Sequence, residues 1–213
     1  MTDDSYAAAR HTMLAEHLRG RDIVSPRVLE AMARVPREQF LPKRFRDAAY
    51  DDCALPINCG QTISQPYVVA AIAQALHLTG GEHVLDVGTG SGYQAAVLAE
   101  LAASVVTIER HELLSREAAA RLARLGYANV ECVVGDGTQG YAAQAPYDAI
   151  VAAAATLEIP PPLFDQLREG GRMVLPLGPS EDQVLCAVRK HNGQAQTMPL
   201  FPCRFVPLVS GEG

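Results

Sequence analysis

Residues Val84 to Tyr93 read VLDVGTGSGY. The segment opens on an apolar run, Val84, Leu85 and Val87, of the kind a buried strand presents, and then sets glycines at 88, 90 and 92. Gln94 to Leu101 (QAAVLAEL) follows at once with helix-forming residues. Strand, glycine turn and helix in that order let a backbone approach a ligand closely, with the free N–H groups of the helix start nearby. An ordinary tight turn uses the same residue types. The correct context on both sides favours the ligand reading.

Spacing narrows the ligand. Tyr93 stands where a dinucleotide motif G-x-G-x-x-G would place its third glycine. Twenty-three residues after Asp86, the apolar run Ser104–Ile108 ends in Glu109, a position from which a carboxylate can accept hydrogen bonds from both hydroxyls of a ribose. A short glycine turn preceded by the acidic Asp86 disfavours a pyrophosphate and leaves room for a cationic nucleoside that carries an amino acid. S-adenosylmethionine has that chemistry.

The rest of the chain alternates as an α/β protein does. Helices are expected over 5–20 and from Pro26, with Ser25 as the cap of the second, and an irregular connection over VPREQFLP. Further elements are expected at Gln65–Leu76 (helix), Leu113–Leu125 (helix), Val130–Val134 (strand), Tyr147–Ala153 (strand), Leu163–Leu167 (helix) and 172–177 (strand). His191-Asn192-Gly193, between two apolar runs, signals an antiparallel hairpin, and the tail from Cys203 is expected to add a short strand. The fold expected is a Rossmann-like, mostly parallel methyltransferase sheet closed by a C-terminal antiparallel hairpin. It forms a single domain: an N-terminal helical extension (1–55), a cofactor-binding core (56–178) and C-terminal strands (179–213).

Bulk properties bound the partners. The chain has 213 residues and a net charge of −6, which lowers the prior for a nucleic-acid partner. Arg19 to Arg46 carries eight basic against three acidic residues, which reads as a solvated helical face. The five cysteines are scattered without C-x-x-C and the histidines lack ligand spacing, so no metal is expected and the thiols are expected to be reduced and mostly buried in a cytoplasmic protein. The first residues are acidic without the apolar core of a secretory signal, and no long apolar run suggests a membrane span.

A second informative stretch is PINCGQTISQPY (56–67), where Gly60 permits a sharp turn and Gln61, Thr62 and Ser64 group neutral polar side chains. Ser64 is placed to cap the helix that follows, a role compatible with ligand contact.

These segments together resemble the protein-L-isoaspartate O-methyltransferase family along nearly the whole chain. VLEAMARVPREQFLP, ALPINCGQTISQPYVVA, VLDVGTGSGYQAAVLAEL, GDGTQGYAAQAPYDAIVAAAA, LREGGRMVLPLG and CRFVPLV stand in the family's order. The glycine turn alone indicates only the methyltransferase superfamily; GQTISQP is the discriminating piece. The resemblance implies methylation of the free α-carboxylate of isoaspartyl residues in damaged proteins and peptides, after which the ester collapses to a succinimide and partly returns to aspartate. It implies Ser64 as the active-site serine, with Gln61, Thr62 and Ile63 beside the substrate. It also implies cofactor positions at Asp86, Gly88, Thr89, Gly90 and Ser91, at Glu109 and Arg110 near the ribose, and at Asp136 and Gly137 near the adenine.

A carboxylate acceptor is already ionised at neutral pH, so orientation and a dry site are needed rather than a strong base. Asp86 and Glu109 are expected to complement the cofactor's ammonium and its sugar hydroxyls. Asn58-Cys59 departs from the family's glycine at the start of this loop; Asn tolerates a left-handed backbone, and Cys59 is expected to be a buried bystander. The alternative is a methyltransferase of the same fold acting on a small molecule or RNA. A dehydrogenase lacks its third glycine and a serine hydrolase lacks G-x-S-x-G. A monomer is expected, because large, varied substrates need an open rim.

Overall fold

In the computed structural model, which describes residues 3–211, two helices precede the sheet. α1 (Asp3–Thr12) runs into a π-helical stretch over Met13–Arg19, so the helix expected over 5–20 widens in its second half. α2 (Pro26–Arg34) begins as its sequence predicts: Pro26 occupies the first turn and Ser25 Oγ accepts the Val28 N–H at 3.5 Å. Val28, Leu29 and Met32 form its buried face, each contributing about 1.5–3 kcal/mol relative to exposure. VPREQFLP contains a 3₁₀ turn at Arg37–Phe40, and a second 3₁₀ turn follows it at Lys43–Ala48. The basic stretch is not uniformly solvated. Arg34 is exposed, with Glu30 and Glu100 as partners, but Arg37 is fully buried.

A small antiparallel hairpin follows, β1 (Leu55–Pro56) with β2 (Thr62–Ile63), and leads into α3 (Pro66–Leu76). The hairpin turn uses left-handed backbone at Cys59 (φ 56°) and Gly60 (φ 65°), not at Asn58. Asn58 instead donates its side-chain amide to the Glu117 carboxylate at 2.8 and 3.0 Å. Cys59 is exposed, as is Cys53; of the five free thiols only Cys186 is buried, so the expectation of mostly buried cysteines fails.

The core then alternates: β3 (His83–Val87), α4 (Tyr93–Ala99), β4 (Ser104–Glu109), α5 (Glu112–Arg124), β5 (Val130–Val134), β6 (Tyr147–Ala152), α6 (Pro161–Gln166), β7 (Leu167–Leu177), β8 (Gln183–His191) and β9 (Gln194–Cys203). The strand order is β5-β4-β3-β6-β7-β8-β9, parallel as far as β7 and antiparallel from β7 to β9. The β8–β9 turn is the expected one, with Asn192 (φ 53°) and Gly193 (φ 72°) both left-handed. Alternate residues along the strands serve two cores. Val84, Val105 and Val151 face the layer that includes α2, α3 and α4, whereas Leu85, Val106 and Ile150 face the layer that includes α6.

The chain leaves β3 toward β4 on one side and later crosses to β6 on the other. The carboxyl ends of β3, β4 and β6 therefore surround a crevice at the switch point, where open α/β sheets bind ligands. The expected final strand is not formed. Within 204–211 the tail makes one bridge, Pro207 to Ala155, and residues 212–213 lie outside the described part. Pro202 and Pro207 each lack an amide donor, which limits ladder formation there.

Candidate active site

The crevice is a cavity of about 900 Å³, within the range of small-molecule sites. Val87 and the glycine turn form one wall, Ile108 to His111 a second, Gly137, Ala153 and Ala154 a third. Gln61 to Gln65 and Tyr67 to Val69 close the substrate side, and Phe201 to Val209 of the tail form the remaining rim.

Gly88, Gly90 and Gly92 all have positive φ (97°, 53° and 86°), which lets the chain reverse between β3 and α4 without a Cβ penalty. Gly92 also lies against α5, where an added Cβ would stand 3.2 Å from Ala118 Cβ. The amides of this turn are mostly spent inside the protein, contrary to the expectation of free donors. Gly88 and Thr89 donate to Ile108 O, Gly90 to Glu109 Oε2, Gly92 to Thr89 O and Tyr93 to Ser91 Oγ. A turn that keeps its N–H groups this way is a poor pyrophosphate cradle.

Glu109 ends β4 at the cavity wall. Its Oε2 accepts the Gly90 N–H at 2.9 Å and its Oε1 the His111 N–H at 3.0 Å, so the carboxylate is oriented by backbone on both sides. Arg110 also lines the cavity, and its buried Nε has no hydrogen-bond partner among the described residues. An unmet buried donor next to a fixed carboxylate fits a ligand that brings hydroxyls and acceptor atoms, as a nucleoside does.

Asp86 does not line the cavity. It is fully buried beneath the turn, accepting from Gln94 Nε2 at 2.7 Å and from Thr107 Oγ1 at 2.9 Å, while Thr107 shares a 2.7 Å bond with Thr89 Oγ1. Burial pushes its pKa up to about 6 against the pull of the Gln94 and Thr107 hydrogen bonds, and nearby Glu109 adds to the rise. The expected direct contact with an ammonium is replaced by support of the turn from below.

Asp136 also stands outside the cavity wall, although its neighbour Gly137 lines it. Its Oδ1 accepts from Thr138 N and Oγ1, and its Oδ2 accepts the Gly211 N–H at 2.8 Å. Desolvation opposes these bonds, yet they hold the carboxyl below its usual range. Asp136 thus anchors the tail. Gln183 does the same from β8, exchanging two bonds with the Phe205 backbone at 2.6 and 3.2 Å.

On the substrate side, Gln61, Thr62, Ile63 and Ser64 all reach the cavity. Ile63 is buried as an anchor and Thr62 is exposed, as alternation along a strand requires. The expected cap by Ser64 is absent. Gln65 is the N-cap of α3 with no side-chain cap bond, and Pro66 at the first helical position has no N–H to be satisfied. The Ser64 hydroxyl makes no hydrogen bond among the described residues, so its donor is available to a ligand.

Sequence reasoning missed Gln94, Thr107, Tyr67, Arg21 and Arg37. Arg21 lies 3.3 Å over the Tyr67 ring at the rim, a stacking between residues far apart in the chain. Two of the five carry a weak local signal: Gln94 is a polar residue on an otherwise apolar helix and Thr107 a polar residue inside an apolar strand.

Comparison with known proteins decides the family. The family model described as protein-L-isoaspartate(D-aspartate) O-methyltransferase matches residues 9–213. The chain belongs to this family. A protein-L-isoaspartate O-methyltransferase from Koribacter versatilis is 51% identical over 208 residues, covering 98% of this chain and 94% of the relative. A solved protein-L-isoaspartate O-methyltransferase superposes with a TM-score of 0.83 at 29% identity over 95% of this chain; this chain spans 66% of that longer one. A Plasmodium falciparum chain of 26% identity, solved in complex with S-adenosyl-L-homocysteine, has a TM-score of 0.79 and covers 94% of this chain and 99% of its own. The fold described above is shared with these two solved structures. Asn58-Cys59 sits on the hairpin turn at the substrate side.

Proposed function

We propose that the chain transfers the methyl group of S-adenosylmethionine to the free α-carboxylate of L-isoaspartyl residues in damaged proteins and peptides, with Ser64 orienting that carboxylate. The observation that carries this reading is one shared cavity. The uncommitted Ser64 hydroxyl, the glycine turn and the doubly anchored Glu109 carboxylate all open into it.

When bound, S-adenosylmethionine supplies an electrophilic methyl on a sulfonium. Glu109 would hold the ribose hydroxyls, Arg110 Nε an acceptor atom of the nucleoside, and Gly88 to Ser91 with Gly137 the walls around it. Asp86 keeps the turn in shape through Gln94 and Thr107. Ser64, with Thr62 beside it, donates to one oxygen of the acceptor carboxylate without neutralising it, so the other oxygen keeps its nucleophilicity. The acceptor enters ionised, and no side chain has to remove a proton. The rim from Phe201 to Val209 flanks the cavity, so a seated peptide would shield the reacting pair from water. The methyl ester formed collapses without further catalysis to a succinimide, which hydrolyses in part to aspartate.

We further read the enzyme as a cytoplasmic monomer that acts on protein and not on nucleic acid, which its charge of −6 supports. The test is labelled methyl transfer to two peptides identical except for one residue, isoaspartyl in one and aspartyl in the other. Base-labile label on the isoaspartyl peptide alone is expected. Label on neither, with the cofactor bound, moves the acceptor elsewhere. Ser64→Ala is expected to lower kcat at least about 10-fold while leaving cofactor affinity within about 2-fold. Equal losses in both would remove the role given to Ser64.

A further inference from the structure

Among the described residues Arg37 heads the largest fully buried side chains, and the methyl-transfer scheme above makes no use of it. Its Nε donates to Ala49 O at 2.7 Å and its Nη2 to Ser64 O at 2.7 Å. Its guanidinium carbon lies 4.6 Å from the centre of the Tyr93 ring. The third nitrogen, Nη1, is buried without a hydrogen-bond partner among the described residues. Tyr93 is the first residue of α4, directly after the glycine turn, and Ser64 is the candidate substrate residue. One side chain therefore touches both walls of the cavity.

We propose that Arg37 is the positioning residue for Ser64, holding the Ser64 backbone at a set place relative to the glycine turn. The proposal rests on the role given to Ser64 above. Three features favour positioning over simple space filling. A buried cation is costly to desolvate, and here it meets two carbonyls and an aromatic face, a set of contacts that an aliphatic side chain of the same volume would not order. The rigid fork spans two carbonyls from separate segments, a geometry arginine provides and lysine does not. The base of the fork is itself tied down. Tyr50, next to Ala49, donates to Glu38 Oε2 at 2.5 Å and accepts from Arg10 Nε at 2.8 Å, and Phe40 packs edge-on against Tyr93 at 5.5 Å.

The test uses the full-length chain and Arg37→Lys, which keeps the charge and fits the buried site, with Arg37→Gln as the second variant. Arg37→Lys is expected to lower kcat on the isoaspartyl peptide about 10-fold, since displacement of a positioning group by an ångström is worth up to about 100-fold. Cofactor affinity by calorimetry stays within about 2-fold, and Arg37→Gln loses more than Arg37→Lys. In a Ser64→Ala background the same Arg37→Lys change costs less than about 2-fold, because its effect runs through Ser64. Amide hydrogen exchange of residues 62–65 is faster in Arg37→Lys, with residues 86–93 unchanged. The proposal is overturned by unchanged kcat, by an equal loss with and without Ser64, or by unchanged exchange at 62–65. Should the parent enzyme methylate neither peptide, the proposed function fails, and the exchange comparison still decides whether Arg37 holds this segment.

Discussion

Replacing Asp86 by Asn separates the support of the turn from its charge. Asp86 is wholly buried and its carboxyl is raised from an ordinary 3.8 to about 6, first by desolvation, with the Gln94 and Thr107 hydrogen bonds opposing and Glu109 adding to the rise. Because the folded carboxyl keeps its proton to higher pH than the unfolded one, folding disfavours the charged form. The native state thus loses stability as pH rises from about 4 through about 6, and the loss persists above that window. A rise of about two pH units corresponds to about 3 kcal/mol, of which about 2 kcal/mol develops between about pH 4.5 and about pH 7.5. Asparagine keeps the geometry: its carbonyl accepts from Gln94 Nε2, and its amide donates to Thr107 Oγ1, which still reaches Thr89 at 2.7 Å. Urea unfolding of parent and Asp86→Asn across this pH range measures the difference directly. The stability of the variant relative to the parent is expected to climb by about 2 kcal/mol from the acid to the neutral end. A difference that stays flat with pH would refute the argument that a buried, disfavoured charge sits beneath the turn.

Other outcomes follow from the same geometry. Cofactor affinity by calorimetry is expected to fall about 10-fold or more in Glu109→Gln, since a carboxylate that accepts from two backbone amides is replaced by a group that turns a donor toward one of them. Asp86→Asn is expected to weaken cofactor binding less than Glu109→Gln; the reverse order would return Asp86 to direct ligand contact. Gly92→Ala places a Cβ on a residue at φ 86° and 3.2 Å from Ala118 Cβ, and is expected to cost about 1–3 kcal/mol in thermal or urea unfolding.

Much of the architecture was legible because it is local. The apolar run of β3, the glycines after it and the acidic end of β4 follow one another in the chain, and their order implies a parallel sheet with a crevice at its carboxyl end. Ser25 as a cap and Asn192-Gly193 as a hairpin turn were equally readable, since each depends on neighbours a few residues away. Ser64 illustrates where this fails. Its spacing before Pro66 marks a cap, yet Gln65 takes the N-cap place, Pro66 brings no N–H to cap, and the Ser64 carbonyl is held by Arg37 from 27 residues earlier.

The sequence by itself determined the order of strands and helices and the glycine turn, because periodicity and glycine spacing act through adjacent residues, and its GQTISQP segment carried the family resemblance. Only the tertiary structure decided which acids meet the cavity. Glu109 lies on its wall, Asp86 under the turn and Asp136 on the tail, and a carboxylate's role depends on burial and on partners from distant segments. The same holds for Arg37, which sits among basic residues with solvated positions but is enclosed by Ala49, Ser64 and Tyr93. Three segments must pack before that enclosure exists, and no local pattern encodes it.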